Sequence, residues 1–406
     1  MAKIAILGYG TVGSGVFEVL SMNADSVAEN AGEPIEIKYV LDLRDFPGDP
    51  AEKKIVHDVE VILNDPEVSV VVETMGGNEP AHTFVKRALE AGKSVCTSNK
   101  NLVEAYGSEL LKIAKEKKVR FLFEAAVGGG IPIIRPIKDA LTADKVDFIT
   151  GILNGTCNYI LTKMSVEGME FEDALKQAQD NGFAERDPAA DIEGHDSCRK
   201  IAILASLVTG KNVDFEDITT IGISNISASD FAYAGKLGMK VKLLSSASYR
   251  DGKLKAITAP FLVSGDNRLF NVDDVINGVW IHGNAVGDLV FQGAGAGKLP
   301  TASAVSSDVV DAVKNKDTVY KLLWSDDKIS PEDAGEYMFR YFVRVNEADK
   351  DKAEEVFGNV KYIEADGISG EAAFITGVMT ENEYNEKSGG VDIINMIRIT
   401  PDTNID

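Results

Sequence analysis

The first twenty residues place the tightest limit on how this chain folds. KIAIL reads as a buried strand, GYGTVG follows with Gly8, Gly10 and Gly13 spaced G-x-G-x-x-G, and helical spacing begins at about Val12 and runs to Met22. The alternation then continues. IEIKYVLDL, SVVVET over 69–74, SVCTSNK from Ser94 and RFLFEAA read as strands, with helices predicted over 79–91 and 104–117. A valine run such as SVVVET suits a parallel strand covered on both faces. Strands alternating with helices of this length predict an α/β fold built on a doubly wound parallel sheet.

The three glycines have mechanical roles in such a turn. Gly8 permits the tight bend, Gly10 lets backbone approach a pyrophosphate, and Gly13 lets the helix close on the strand. Thr11 and Val12 then lie along the diphosphate at the helix N-terminus. The plain alternative is a packing turn, and the position between strand and helix favours a dinucleotide. Cofactor choice rests on LDLRD at the end of the second strand. Asp42 would accept from an adenosine ribose hydroxyl, the NAD pattern, whereas Arg44 would meet a 2′-phosphate, the NADP pattern. The lean is toward NADP.

VGGGIP, from Val127 to Pro132, breaks the alternation. Residues 1–130 are therefore expected as a Rossmann-type domain, completed by about 300–318. Residues 131–299 mix helices with strands such as DFITGILN and LKAITAPFLV, which predicts a second, α+β domain. Beyond the polar stretch SDDKISPEDAG, residues 335–406 read strand, helix, strand, strand, short helix, strand, the order of a small ferredoxin-like module. At 406 residues the chain is too long for a single ordinary core.

A formal net charge of −22 disfavours nucleic acid or anionic membrane as partner. Three cysteines, Cys96, Cys157 and Cys198, with no CxxC, fit a reducing, cytoplasmic compartment. His57, His82, His195 and His282 stand apart from one another, so no transition-metal site is expected. No apolar run approaches the ~20 residues that span a bilayer.

The most informative charged stretch is NGFAERDPAADIEGHDSCRK, residues 181–200, which runs into the apolar IAILASLV. Asp196 and Lys200 are four apart and share a helix face. Charge steered toward an apolar segment points to a pocket for a zwitterionic amino acid, with Lys200 delivering a proton. A surface i,i+4 ion pair, worth about 0.3–0.5 kcal/mol, is the plainer alternative.

Further motifs follow the glycine turn in order: GGNEPAHTFVKRALEAGKSVCTSNK, EAAVGGGIPII, LNGTCNYI, the charged block itself, and GAGAGKLPTASAV. Together they resemble homoserine dehydrogenase over nearly all of residues 1–315, and the C-terminal module resembles, in divergent form, the ACT domain that many members append. The resemblance implies an oxidoreductase of threonine and methionine biosynthesis. It would interconvert L-homoserine and L-aspartate 4-semialdehyde with NAD(P), as a homodimer or higher oligomer. Lys200 would be the acid–base lysine and Lys100 a second catalytic lysine beside nicotinamide and substrate. Glu185, Asp191 and Asp196 would surround the substrate, with Glu185 on the ammonium. Asn154, Gly155 and Thr156 form a turn whose amides suit a carboxylate, while Asn154 also fits simple helix capping. Gly297 would touch cofactor. Glu124, with the carbonyls of Val127, Gly129 and Ile131, matches a loop that holds a monovalent cation (Na+ or K+) in some members.

The loop VNEADKDK in the C-terminal module lacks a glycine turn, which predicts no threonine control there. Two other readings compete. An aspartate-semialdehyde dehydrogenase would need Cys157 as thiolate. A non-catalytic dinucleotide-binding amino acid sensor would need neither Lys100 nor Lys200.

Overall fold

The Ala2–Leu7 strand lies inside a six-stranded parallel sheet. In space the order is Ile55–Val56, Ile35–Leu41, Ala2–Leu7, Val68–Glu73, Ser94–Thr97, Phe121–Leu122. The chain steps outward from its first strand one way, returns, and steps outward the other way. The reversal falls between Ala2–Leu7 and Val68–Glu73, so the crevice for a ligand opens beyond their carboxyl ends. Ile4, Ile6, Val70, Val71 and Val72 are buried, as expected of strands covered on both faces.

The computed structural model describes residues 1–318, 323–358 and 360–400. Its first unit comprises Met1–Ala143, Ala202–Asp214 and Gly293–Ile329. Within it the helix Lys298–Lys314 packs on Thr11–Met22, where a Cβ on Gly15 would come 2.8 Å from the Lys298 carbonyl oxygen. Two expected elements differ. The helix expected from residue 104 spans Lys100–Lys117, because the Asn99 side chain accepts from the Leu102 amide at 3.2 Å and caps it early. Lys100 therefore opens a helix rather than ending a strand. RFLFEAA holds only the short strand Phe121–Leu122 before the one-turn helix Ala125–Gly128.

The second unit comprises Asp144–Ile201, Phe215–Gln292 and the chain from Ser330 onward. Its 11-stranded mixed sheet runs Gly287–Ala294, Ile276–Gly283, Val146–Ile152, Lys240–Arg250, Lys253–Val263, Ile393–Ile399, Met338–Asn346, Glu371–Ile375, Lys361–Ile363, with two short strands off this path. Alternating side chains divide its two faces. Leu243, Leu262 and Phe342 join the core under helices Gly155–Glu167, Phe171–Asp180 and Ala228–Lys236. Leu244, Phe261, Tyr341 and Val343 face the other core, with Ala353 and Phe357 of helix Lys350–Phe357.

The C-terminal segment keeps the expected strand–helix–strand–strand–helix–strand order, with one added two-residue strand, Met379–Thr380. It shares the sheet of its unit. Phe261 and Leu262 pair in parallel with Arg398 and Ile399. The buried Arg344 guanidinium reaches Asp230 at 2.8 Å and Glu371 at 2.7 Å, pinning helix Ala228–Lys236 to that segment.

Candidate active site

In the second unit the strand Val146–Ile152 delivers Leu153 and Asn154 to the start of helix Gly155–Glu167. Asn154 is 6% exposed and caps that helix, its Oδ1 accepting from the Cys157 amide at 2.8 Å. Its Nδ2 also donates to two carboxylates, Asp191 at 2.7 Å and Asp196 at 2.8 Å. Helix His195–Thr209 carries Asp196 and Lys200 on one face. The Lys200 Nζ donates to Asp196 at 2.8 Å and to the Leu153 carbonyl at 2.8 Å. Lys200 is 8% exposed and Asp196 4%, so this pair is not a solvated surface bridge. An ammonium has three donors, and these two bonds leave one N–H for a ligand.

The structure thus brings together Asn154, Asp191, Asp196 and Lys200. Thr156 Oγ1 donates to the Phe183 carbonyl, which draws the 183–185 segment to the same turn. Glu185 is exposed. Its carboxylate has no hydrogen-bond or ion-pair partner among the described residues, although its carbonyl accepts from Gln179. Cys157 is fully buried, its Sγ donating to the Asp191 carbonyl at 3.1 Å, and burial pushes its thiol well above the usual value. A thiolate nucleophile is therefore absent at that position.

In the first unit Gly8 adopts φ +92° and Gly10 precedes helix Thr11–Met22. A Cβ on Gly13 would lie 2.0 Å from the Gly8 carbonyl oxygen, whereas one on Gly10 would meet nothing within 4 Å. The turn is closed beneath and open above, which fits a pyrophosphate lying on its backbone. The Asp42 carboxylate accepts from the Tyr9 amide at 2.8 Å and from Arg44 Nε at 2.9 Å and Nη2 at 3.0 Å. Hydrogen bonds from Arg44, opposed in part by burial, hold Asp42 well below the usual carboxylate range. Gly297 stands at φ +118° immediately before helix Lys298–Lys314.

One residue escaped the sequence reading. Glu73 ends the switch-point strand fully buried and accepts from Thr97 Oγ1 at 2.5 Å and the amides of Met75 at 2.7 Å and Gly76 at 3.2 Å. Burial pushes its carboxyl up. The signal was a lone carboxylate closing the apolar run VVVE.

Glu124, at the start of its loop, is buried. Both carboxylate oxygens are committed to backbone amides, Ile133 at 2.5 Å and Ile134 at 2.8 Å on one, Arg135 at 2.8 Å on the other. A carboxylate folded onto its own chain this way orders the loop. Among the described residues no group of three or more His, Cys, Asp or Glu is placed to hold a metal ion. No helix among them is long and apolar enough to cross a membrane.

A parallel sheet with a glycine turn at its switch point, together with a buried lysine–carboxylate cluster, defines a nicotinamide-dinucleotide-dependent oxidoreductase. Two family models match, one described as homoserine dehydrogenase over residues 132–310 and one as its NAD-binding domain over residues 8–124. Homoserine dehydrogenase of Bacillus subtilis is 42% identical over 317 residues, covering 77% of this chain and 73% of that protein. The crystal structure of a homoserine dehydrogenase from Thiobacillus denitrificans superposes with a TM-score of 0.89 at 32% identity, over 99% of this chain and 98% of that one. A hyperthermophilic archaeal homoserine dehydrogenase in complex with NADPH covers 79% of this chain and 99% of its own at 27% identity, with a TM-score of 0.66. The chain belongs to the homoserine dehydrogenase family, and its activity is that of an oxidoreductase on small-molecule substrates.

Proposed function

We propose that Lys200 is the acid–base group in the interconversion of L-aspartate 4-semialdehyde and L-homoserine. Reduction of the aldehyde places negative charge on oxygen, and a cation that can also release a proton answers both demands. The observation that carries this reading is the fixed Lys200 ammonium. Two of its hydrogens are held by Asp196 and the Leu153 carbonyl, which aims the third. In the oxidising direction the neutral amine takes the hydroxyl proton. Bound nicotinamide supplies or accepts the hydride.

Gly155 and Thr156 offer backbone amides to the substrate carboxylate, and Asp191 contacts its polar end. Glu185, with an unengaged carboxylate on the segment tied down by Thr156, receives the ammonium. Lys100, on the first turn of its helix beyond a sheet carboxyl end, serves nicotinamide and substrate. Gly8, Gly10, Thr11, Val12, Gly13 and Gly297 bind the dinucleotide. NADP is preferred, because Asp42 is already saturated by Arg44 and the Tyr9 amide while the Arg44 side chain is 63% exposed. An alkali ion at the 124–131 loop would draw on the carbonyls of Val127, Gly129 and Ile131, with Glu124 ordering the loop. The edge strand Gly287–Ala294 favours a homodimer, since an edge exposes unpaired backbone groups to a second copy. The enzyme works in the cytoplasm.

The direct test is NADP+ reduction with L-homoserine. Homoserine-dependent NADPH formation without added phosphate is expected. Turnover only with semialdehyde plus phosphate would reverse the assignment.

A further inference from the structure

Gly155 opens the turn assigned to the substrate carboxylate, and its α-carbon rests on another segment of the second unit. A Cβ there would come 2.8 Å from the Val275 carbonyl oxygen and 3.4 Å from Asn277 Oδ1. Residues 272–277 therefore form the floor beneath the turn, and any shift of this floor shifts the amides above it.

Buried polar groups fix that floor. Asn158 is 2% exposed and lies one helical turn after Asn154; its Nδ2 donates to the carbonyls of Val272 at 3.1 Å and Ile276 at 3.0 Å. Lys242, on strand Lys240–Arg250, is also 2% exposed. Its Nζ donates to the Val272 carbonyl at 2.6 Å, Asn158 Oδ1 at 3.1 Å and Asp273 Oδ1 at 2.7 Å. The Asp274 amide donates to Thr162 Oγ1 at 3.0 Å, and Asp274 itself sits at φ +55°, a conformation L-residues seldom adopt. Asp273 is thus held from the sheet, by Lys240 and Lys242, and Asp274 from the helix, by Thr162.

A buried ammonium is a poor way to gain stability. Its one carboxylate partner, Asp273, is 35% exposed and is shared with Lys240 at 2.7 Å. An apolar side chain of similar volume commonly serves stability as well or better. What the ammonium provides is three directed bonds that lock a carbonyl, an amide and a carboxylate into one geometry. Asn277, 1% exposed, adds a buried Oδ1 with no partner among the described residues, 3.4 Å from where a Cβ on the same glycine would stand.

We infer that Lys242 and Asn158 are positioning residues for the reaction. They hold residues 272–277 under Gly155 and so fix the direction in which the turn 154–156 presents its amides to the amino acid. Neither touches substrate. The inference rests on the reading that this turn receives the substrate carboxylate.

The test uses the full-length enzyme with Lys242→Met, Asn158→Ala and, as a control, Asn154→Ala. A relaxed floor weakens the hydrogen bonds to the substrate carboxylate equally in the ground and transition states, so the homoserine KM should rise about tenfold. Expected for Lys242→Met and Asn158→Ala is that rise, with kcat within about threefold and the NADP+ Kd unchanged. Should Lys242→Met fail to fold, Asn158→Ala, which removes no charge, decides alone. Folded variants with an unaltered homoserine KM overturn the inference, as does a parallel loss of KM, kcat and NADP+ affinity, which would mark general loosening. If Asn154→Ala raises KM while the other two are silent, only the positioning role falls. If Asn154→Ala also leaves KM unaltered, the carboxylate reading falls and takes the inference with it.

Discussion

Replacing Asn154 by aspartate separates helix capping, which the sequence offered, from the bridging of two carboxylates that the structure adds. Aspartate caps a helix as well as asparagine, so a pure capping role predicts near-normal stability and activity. The structure predicts otherwise, because the Asn154 Nδ2 is the donor that Asp191 and Asp196 share, at 2.7 and 2.8 Å. Hydrogen bonds to charged groups contribute about 1.5–3 kcal/mol each, so the two together contribute about 3–6 kcal/mol to the order of the cluster. A carboxylate oxygen in the place of that nitrogen would meet each neighbouring carboxylate with roughly 6 kcal/mol of repulsion at an effective dielectric of about 20. The new side chain therefore takes up a proton or turns away, and Asp196 loses its fixed relation to Lys200. The assay is steady-state NADP+ reduction by L-homoserine, with dinucleotide affinity measured separately. Expected is a fall in kcat/KM of about 10³-fold at mildly alkaline pH, which corresponds to about 4 kcal/mol. The loss should be partly relieved at lower pH, where the introduced carboxyl, once protonated, can again donate one bond. NADP+ affinity should be unchanged. Asn154→Asp enzyme with wild-type kcat/KM would refute the network reading and leave capping alone.

Two further outcomes follow from the first unit. Arg44→Ala should weaken NADP+ by about tenfold or more through loss of a charge-assisted contact and, by releasing Asp42, improve NAD+, so the NADP+/NAD+ ratio of kcat/KM reports both changes; an unchanged ratio would exclude Arg44 as the determinant. Glu73 has its carboxyl pKa raised by burial in the folded state above the ordinary 4.5. Its contribution to stability is therefore fully present below that ordinary value and declines as pH rises toward the folded value. Glu73→Gln removes the titration, so the difference in urea midpoint, wild type minus variant, should become less favourable to wild type from about pH 4 upward. Parallel curves would count against a raised Glu73.

The fold of the first unit was legible because its signals are local. A glycine turn, a valine run and helix periodicity each act within a few residues, and together they mark a doubly wound sheet. Lys100 was misplaced by one element because SVCTSNK carries no mark that Asn99 turns its side chain back onto the Leu102 amide. The second unit was harder to read. Its Asp251-Gly252 turn, at φ +51° and +80°, is a hairpin signal present in RDGK, and it joins the strands Lys240–Arg250 and Lys253–Val263. The pairing of Lys253–Val263 with the sequence-distant Ile393–Ile399 left no local trace. At the site, Asp196 and Lys200 were visible through i,i+4 spacing. Asn154 as the bridge to both carboxylates was not, since nothing in NGT shows what lies opposite its amide. The Glu124 carboxylate likewise could not be seen to fold onto residues 133–135.

The most direct measurement compares wild type and Lys200→Ala in homoserine-dependent NADP+ reduction, with NADP+ affinity measured on both. Loss of the acid–base group predicts a fall in kcat of about 10²–10⁴-fold and an NADP+ Kd within about twofold of wild type. Comparable turnover in the two proteins would contradict the account.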